Sequence, residues 1–63
     1  MDDVLPDGIR QPAVEVVEAC GEWFVRVIEP DQEITRSFEL ESFALAFAEG
    51  QRLRLGLDKV VRI

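Results

Sequence analysis

The spacing of apolar residues changes once along this sequence, after Phe38, and that change limits the folds open to the chain. Before it, short runs rich in β-branched and aromatic residues are separated by turn residues. After it, apolar residues recur every three or four positions, as at Phe43 and Phe47. The first pattern is typical of strands and the second of a helix. The sequence therefore predicts an α+β fold in which a β-meander precedes one helix.

The predicted meander has a Gly-containing connection at Cys20-Gly21, which favours a hairpin, and a second turn beginning at Pro30-Asp31. A last apolar run after the helix predicts a closing strand. The expected order is βββαβ, with strands at 13–19, 23–29, 34–38 and 59–63 and a helix at 41–55.

The predicted helix has a clearer end than beginning. Gly56 is the expected left-handed terminator, whereas Ser42 is a candidate N-cap without the Glu or Gln of a capping box three residues later. At 100° per residue, one face of the helix collects four residues that we expect to be buried against Trp23, Val25 and Val27 of the sheet. These are Leu40, Phe43, Phe47 and Gly50. Gly50 would then mark a close approach to the sheet or to a second helix.

A chain of 63 residues is long enough for one domain, here expected at 13–63, with residues 1–12 as an extended or flexible arm. Such a small core is marginal unless a disulfide, a metal or another chain adds stability. The single Cys20 and the absence of His exclude an internal disulfide and a structural zinc set. A partner chain is therefore the remaining source of additional stability.

The sequence contains no constellation that indicates catalysis, so we expect no enzyme and no cofactor or metal site. Without His there is no nucleophile triad with a His base, and the four glycines are too far apart for a phosphate loop. Paired acids are expected to be solvated surface groups: Asp2-Asp3, Asp31/Glu33 and Glu39/Glu41. Cys20 is expected to be an inert thiol, because Glu18 and Glu22 disfavour a thiolate.

The amino-terminal residues 1–4 are acidic, where a secretory signal needs a basic start, and no apolar stretch is long enough to span a membrane. We therefore expect a cytoplasmic protein without a membrane partner. Trp23 has two interpretations, a core anchor, which we favour, or an interface hot spot.

Charge is segregated along the chain, whose formal net charge is −6. Four of the seven basic residues fall in the last 14 positions: Arg52, Arg54, Lys59 and Arg62. They are either a small basic patch for nucleic acid or an acidic partner, or groups that complement the helix end. The acidic remainder makes nucleic acid the less favoured partner.

We predict a homodimer from the apolar residues expected on the face of the sheet opposite the helix. Val17, Phe24 and Ile28 would share that face and form an apolar patch unusual for a monomer. Two dimer geometries are open. The sheets of two copies could stack face to face across this patch, which is the geometry that we favour. Alternatively, strand 59–63 could be exchanged between copies.

Part of the sequence resembles small bacterial domains of unknown function. The segments that carry this resemblance are Trp23 to Val27, Ser37-Phe38, Phe43 to Ala48 and Gln51-Arg52-Leu53. The resemblance covers about residues 13–63 and implies a hairpin or meander followed by one helix and a last strand, with no activity. A weaker similarity is to bacterial antitoxins, although the DNA-binding segment of many antitoxins is missing here. We expect a non-enzymatic homodimeric interaction module with a possible further protein partner; the alternative is an antitoxin-like, nucleic-acid-associated regulator.

Overall fold

The computed structural model describes residues 11–63 and confirms the α+β fold. Its elements follow the expected order βββαβ, and the helix has the predicted bounds. The second and third strands begin one and two residues earlier than predicted, and the fourth is shorter. The elements are β1 (Ala13–Ala19), β2 (Glu22–Glu29), β3 (Gln32–Phe38), α1 (Glu41–Leu55) and β4 (Val61–Arg62). The predicted amino-terminal arm falls mostly outside the described residues.

The four strands form one mixed sheet in the order β3-β2-β1-β4. β1 to β3 are antiparallel neighbours, whereas β4 lies parallel to β1. Thus β3 and β4 run in the same direction at opposite edges, and α1 provides the crossover that such strands require. The closing strand was predicted over 59–63, but only two residues pair, because the preceding residues return the chain from the helix end to the edge of β1.

The first hairpin has a two-residue loop in which both residues have positive φ. Ala19 pairs with Glu22, and Cys20 and Gly21 between them have φ values of 55° and 81°. Two successive positive φ angles define the primed turn whose twist matches that of paired strands. The Glu18 carboxylate accepts a 3.0 Å hydrogen bond from the Gly21 N–H and steadies the loop.

The two ends of α1 differ in their capping. Leu40 occupies the N-cap position with no side-chain hydrogen bond, so the expectation that Ser42 caps the helix is wrong. Ser42 lies one residue inside the first turn, because the helix already begins at Glu41. At the other end Gly56 has φ 70°, and the Gly56 and Leu57 N–H groups donate to the Leu53 and Arg52 carbonyls. This pattern is the left-handed termination expected of Gly56.

The core lies between the sheet and α1. Alternate residues of β1 and β2 face the helix, and the prediction that Val25 and Val27 do so is confirmed. Trp23 is half-buried and packs against this core, which favours the anchor interpretation. The fully buried side chains are Val14, Val16, Val25, Val27, Ala44 and Ala48.

The prediction of which face of α1 is buried is wrong. The observed buried face is rotated about the helix axis from the predicted one by about one residue, close to 100°. Ala44 and Ala48 form the buried line, while Phe43 is 60% exposed and Leu40 53% exposed. Only Phe47 of the predicted set packs against the core. Small side chains beneath the helix let it lie close to the valine layer, and the larger residues Leu45, Phe47 and Leu55 pack along its sides.

Gly50 is not at a close approach to the sheet. It is exposed, and a β-carbon added there would have no atom of the described chain within 4 Å apart from its chain neighbours and the backbone of its own helix. Nothing within the described chain accounts for glycine at this helical position.

Candidate interaction surfaces

The side of α1 that faces away from the sheet carries an apolar stripe, which we call the outer stripe. It consists of Phe43, Ala46, Gly50 and Leu53, separated by three, four and three residues. All four are exposed, and Leu53 is 64% exposed. A 3-4-3 spacing keeps these residues on one line along the helix, as at the seam of a two-helix pair.

Charged groups of opposite sign lie at the two ends of the outer stripe. Glu39 and Glu41 are at its amino-terminal end, and Arg54 is at its carboxyl-terminal end. Arg54 donates hydrogen bonds to Glu29 Oε2 at 2.8 Å and Gln51 Oε1 at 2.9 Å, yet half of its side chain stays exposed. The exposed charges at the ends of the outer stripe are therefore negative at the amino-terminal end of the helix and positive at its carboxyl-terminal end.

The face of the sheet opposite α1 holds the predicted apolar patch, but in two pieces. Val17 lies directly opposite Phe24, whereas Ile28 lies opposite Ala13, two rows away. The row between contains Glu15 and Arg26. Val17, Phe24 and Ile28 are each half-buried.

An ion network crosses the middle of this sheet face. Arg26 Nη2 lies 2.7 Å from Glu15 Oε1, and Arg26 Nη1 lies 3.5 Å from Glu33 Oε2. The hydrogen bond to Glu15 and the charges of both carboxylates raise the pKa of Arg26. A stacked sheet would have to desolvate this network, which costs free energy even when the charges are paired.

The carboxyl-terminal strand extends the Val17 and Phe24 side of this face. Val61 pairs with Glu15, and the Ile63 N–H donates to the Val16 carbonyl at 2.9 Å. Strand alternation places Val61 and Ile63 on the same face, where they are 38% and 71% exposed. The sequence pattern does not place these residues in the patch, because it does not indicate which strand β4 joins.

The four predicted basic residues do not form one patch. Arg52 bonds Glu49 and the Leu57 carbonyl, and Arg54 bonds Glu29 near the same helix end. Arg62 instead contacts Glu41 Oε2 at 2.7 Å, at the opposite end of α1, and lies 5.8 Å from the centre of the Trp23 ring. Lys59 is exposed and forms no ion pair within residues 11–63.

The carboxylates that bind Arg52 and Arg54 have shifted pKa values. The hydrogen bond from Arg52 lowers the pKa of Glu49, and the hydrogen bonds from Arg54 and Gln32 lower that of Glu29. Hydrogen bonding to Glu49 correspondingly raises the pKa of Arg52. Arg52, Arg54 and, through its contact with Glu41, Arg62 therefore each have their charge balanced locally by an acid of the same chain.

One member of each predicted acidic pair within the described region takes part in a surface ion pair. Glu41 binds Arg62 and Glu33 binds Arg26, while Cys20 is exposed in its turn. Across residues 11–63, no three acidic or Cys side chains converge as a metal site. Nor does that part of the chain contain a helix with the length and apolarity needed to cross a membrane.

Comparison of the chain with protein-family models, with curated proteins and with solved structures found no match. The resemblances to small bacterial domains and to antitoxins therefore rest on the sequence pattern alone.

Proposed function

We propose that the chain is a non-enzymatic interaction module that acts as a homodimer. The observation that supports it best is the exposure of Phe43 and Leu53 on the outer stripe, whereas the residues that the same helix buries fully against the sheet are the small Ala44 and Ala48. Isolated exposed apolar residues are ordinary on protein surfaces, but large ones aligned with Ala46 and Gly50 form a continuous strip. Such a strip is typical of a contact surface.

The small size of the core supports the same proposal. Among residues 11–63 the six fully buried hydrophobic residues are four valines and two alanines, so the largest apolar side chains there contribute only part of their surface to the fold. Association that buries these side chains stabilises the folded chain by mass action. A module of this size gains the most from such a contact.

Sedimentation equilibrium at micromolar concentrations tests the proposal. We expect a reversible equilibrium between the 7.2 kDa chain and a species of twice that mass. The melting temperature should also rise with protein concentration, because association stabilises only the folded state. A single species of 7.2 kDa across the concentration range, with a constant melting temperature, would exclude the homodimer.

A further inference from the structure

We propose that the homodimer forms through the outer stripe, which packs against the same stripe of a second copy as an antiparallel helix pair. This inference rests on the proposed function and specifies its contact surface. The residues of the stripe are symmetric about Ala48: Phe43 and Leu53 are five positions from it on either side, and Ala46 and Gly50 are two positions away. An antiparallel pair with a two-fold axis at this level places Phe43 beside Leu53 of the second copy, and Ala46 beside its Gly50.

The sizes of these side chains fit that arrangement. Small residues at the middle let two helix backbones approach closely, and the large residues at both ends fill the space beyond the closest point. The open space around Gly50 is then the position of the second helix. Glycine is the poorest helix former after proline, and a close contact of this kind gives a reason for it at an exposed helical position.

Charge favours the antiparallel direction over the parallel one. The antiparallel pair brings Glu39 at the amino-terminal end of one helix near Arg54 at the carboxyl-terminal end of the other. Glu39 forms no ion pair within residues 11–63, and Arg54, although it is paired with Glu29 of its own chain, is half-exposed and can also face Glu39 of the second copy. Glu49, beside the centre of the pair, is already bound to Arg52 of its own chain. A parallel pair would instead align like charges and like ends of the helix dipoles.

The area available matches a weak, reversible dimer. Phe43 and Leu53 each expose more than half of their surface, on the order of 200 Å² together, so a symmetric pair covers about 400 Å² from these side chains alone. With the adjoining helix surface the contact stays below the roughly 1,000 Å² expected of a stable specific interface, as is typical of weak, transient pairs. The sheet face is the competing surface, but the ion network of Arg26 interrupts it. We therefore expect a dissociation constant in the micromolar range.

Three variants examined by sedimentation equilibrium test the contact surface. Phe43→Ala should weaken the dimer by at least about tenfold, whereas the matched Phe24→Ala on the sheet face should change the dissociation constant less than about twofold. Gly50→Leu should also weaken it about tenfold or more. Non-specific association predicts the reverse for Gly50→Leu, because that change adds an exposed apolar side chain. Circular dichroism at low concentration should show that all three variants fold.

The outcomes separate this inference from the proposed function. A dimer that is weakened by Phe24→Ala and unaffected by Phe43→Ala would overturn the helix pair and leave the homodimer standing, with sheet stacking as its geometry. A dimer strengthened by Gly50→Leu would also overturn the close helix contact. A parent chain that never dimerises would exclude both proposals.

Discussion

At the scale of single residues, Cys20 has the most constrained backbone of the described non-glycine residues. Its φ of 55° is left-handed, a conformation that costs an L-residue roughly 1–2 kcal/mol and that Asn tolerates best among non-glycine residues. Its side chain is exposed, so replacement removes no core packing. We expect Cys20→Asn to raise the free energy of unfolding by about 0.5 kcal/mol, measured by urea denaturation. Cys20→Val is the control and should lower it, and equal midpoints for the two variants would contradict this account of the turn.

At the scale of elements, the existence and bounds of α1 could be predicted because they depend on local signals. Helix-forming alanines, the 3-4 spacing and Gly56 determine them within the segment itself. The face that α1 buries depends instead on how closely the helix can approach the valine layer, which is not a local property. Ala44 and Ala48 permit a closer approach than Phe43 does. The pairing of β4 with β1 is likewise not predictable from Val61 and Arg62 alone, since it depends on which edge of the sheet the chain reaches after the helix ends.

The corrected helix face predicts different costs for two similar substitutions. Phe47 packs against the core, with its ring centre 5.5 Å from that of Phe38, so Phe47→Ala should lower the free energy of unfolding of the monomer by about 2 kcal/mol. Phe43→Ala should change it by less than about 0.5 kcal/mol, because that side chain is mostly exposed. Denaturation at concentrations where the chain is monomeric measures both values. A cost at Phe43 as large as that at Phe47 would restore the face predicted from the sequence, which contained both residues.

At the scale of the whole molecule, the charge segregation seen along the sequence does not become a segregated surface. The basic carboxyl-terminal segment contacts acids from distant parts of the chain: Arg54 reaches Glu29 on β2, and Arg62 reaches Glu41 at the start of α1. The composition reveals the excess of bases in this segment, but the fold determines their partners. Because these arginines are neutralised within the chain and the net charge is −6, we expect no retention on heparin even at low salt. Retention that weakens with added salt would favour the nucleic-acid alternative.

The Arg54 and Glu29 contact connects distant elements and should make stability depend on pH in a defined direction. Glu29 has an ordinary pKa of 4.5, lowered in the folded chain by the hydrogen bond from Arg54, so the unfolded chain binds more protons in the interval between the two values. The stabilisation is therefore complete above pH 4.5 and is lost as the pH falls through the folded-state value. Arg54→Gln should destabilise the monomer at neutral pH, and its difference from the parent should shrink below pH 4.5. Lys59→Gln removes the same charge where no ion pair exists, so its smaller effect should not change over that interval. Urea denaturation at several pH values would contradict the contact if both variants showed the same pH dependence.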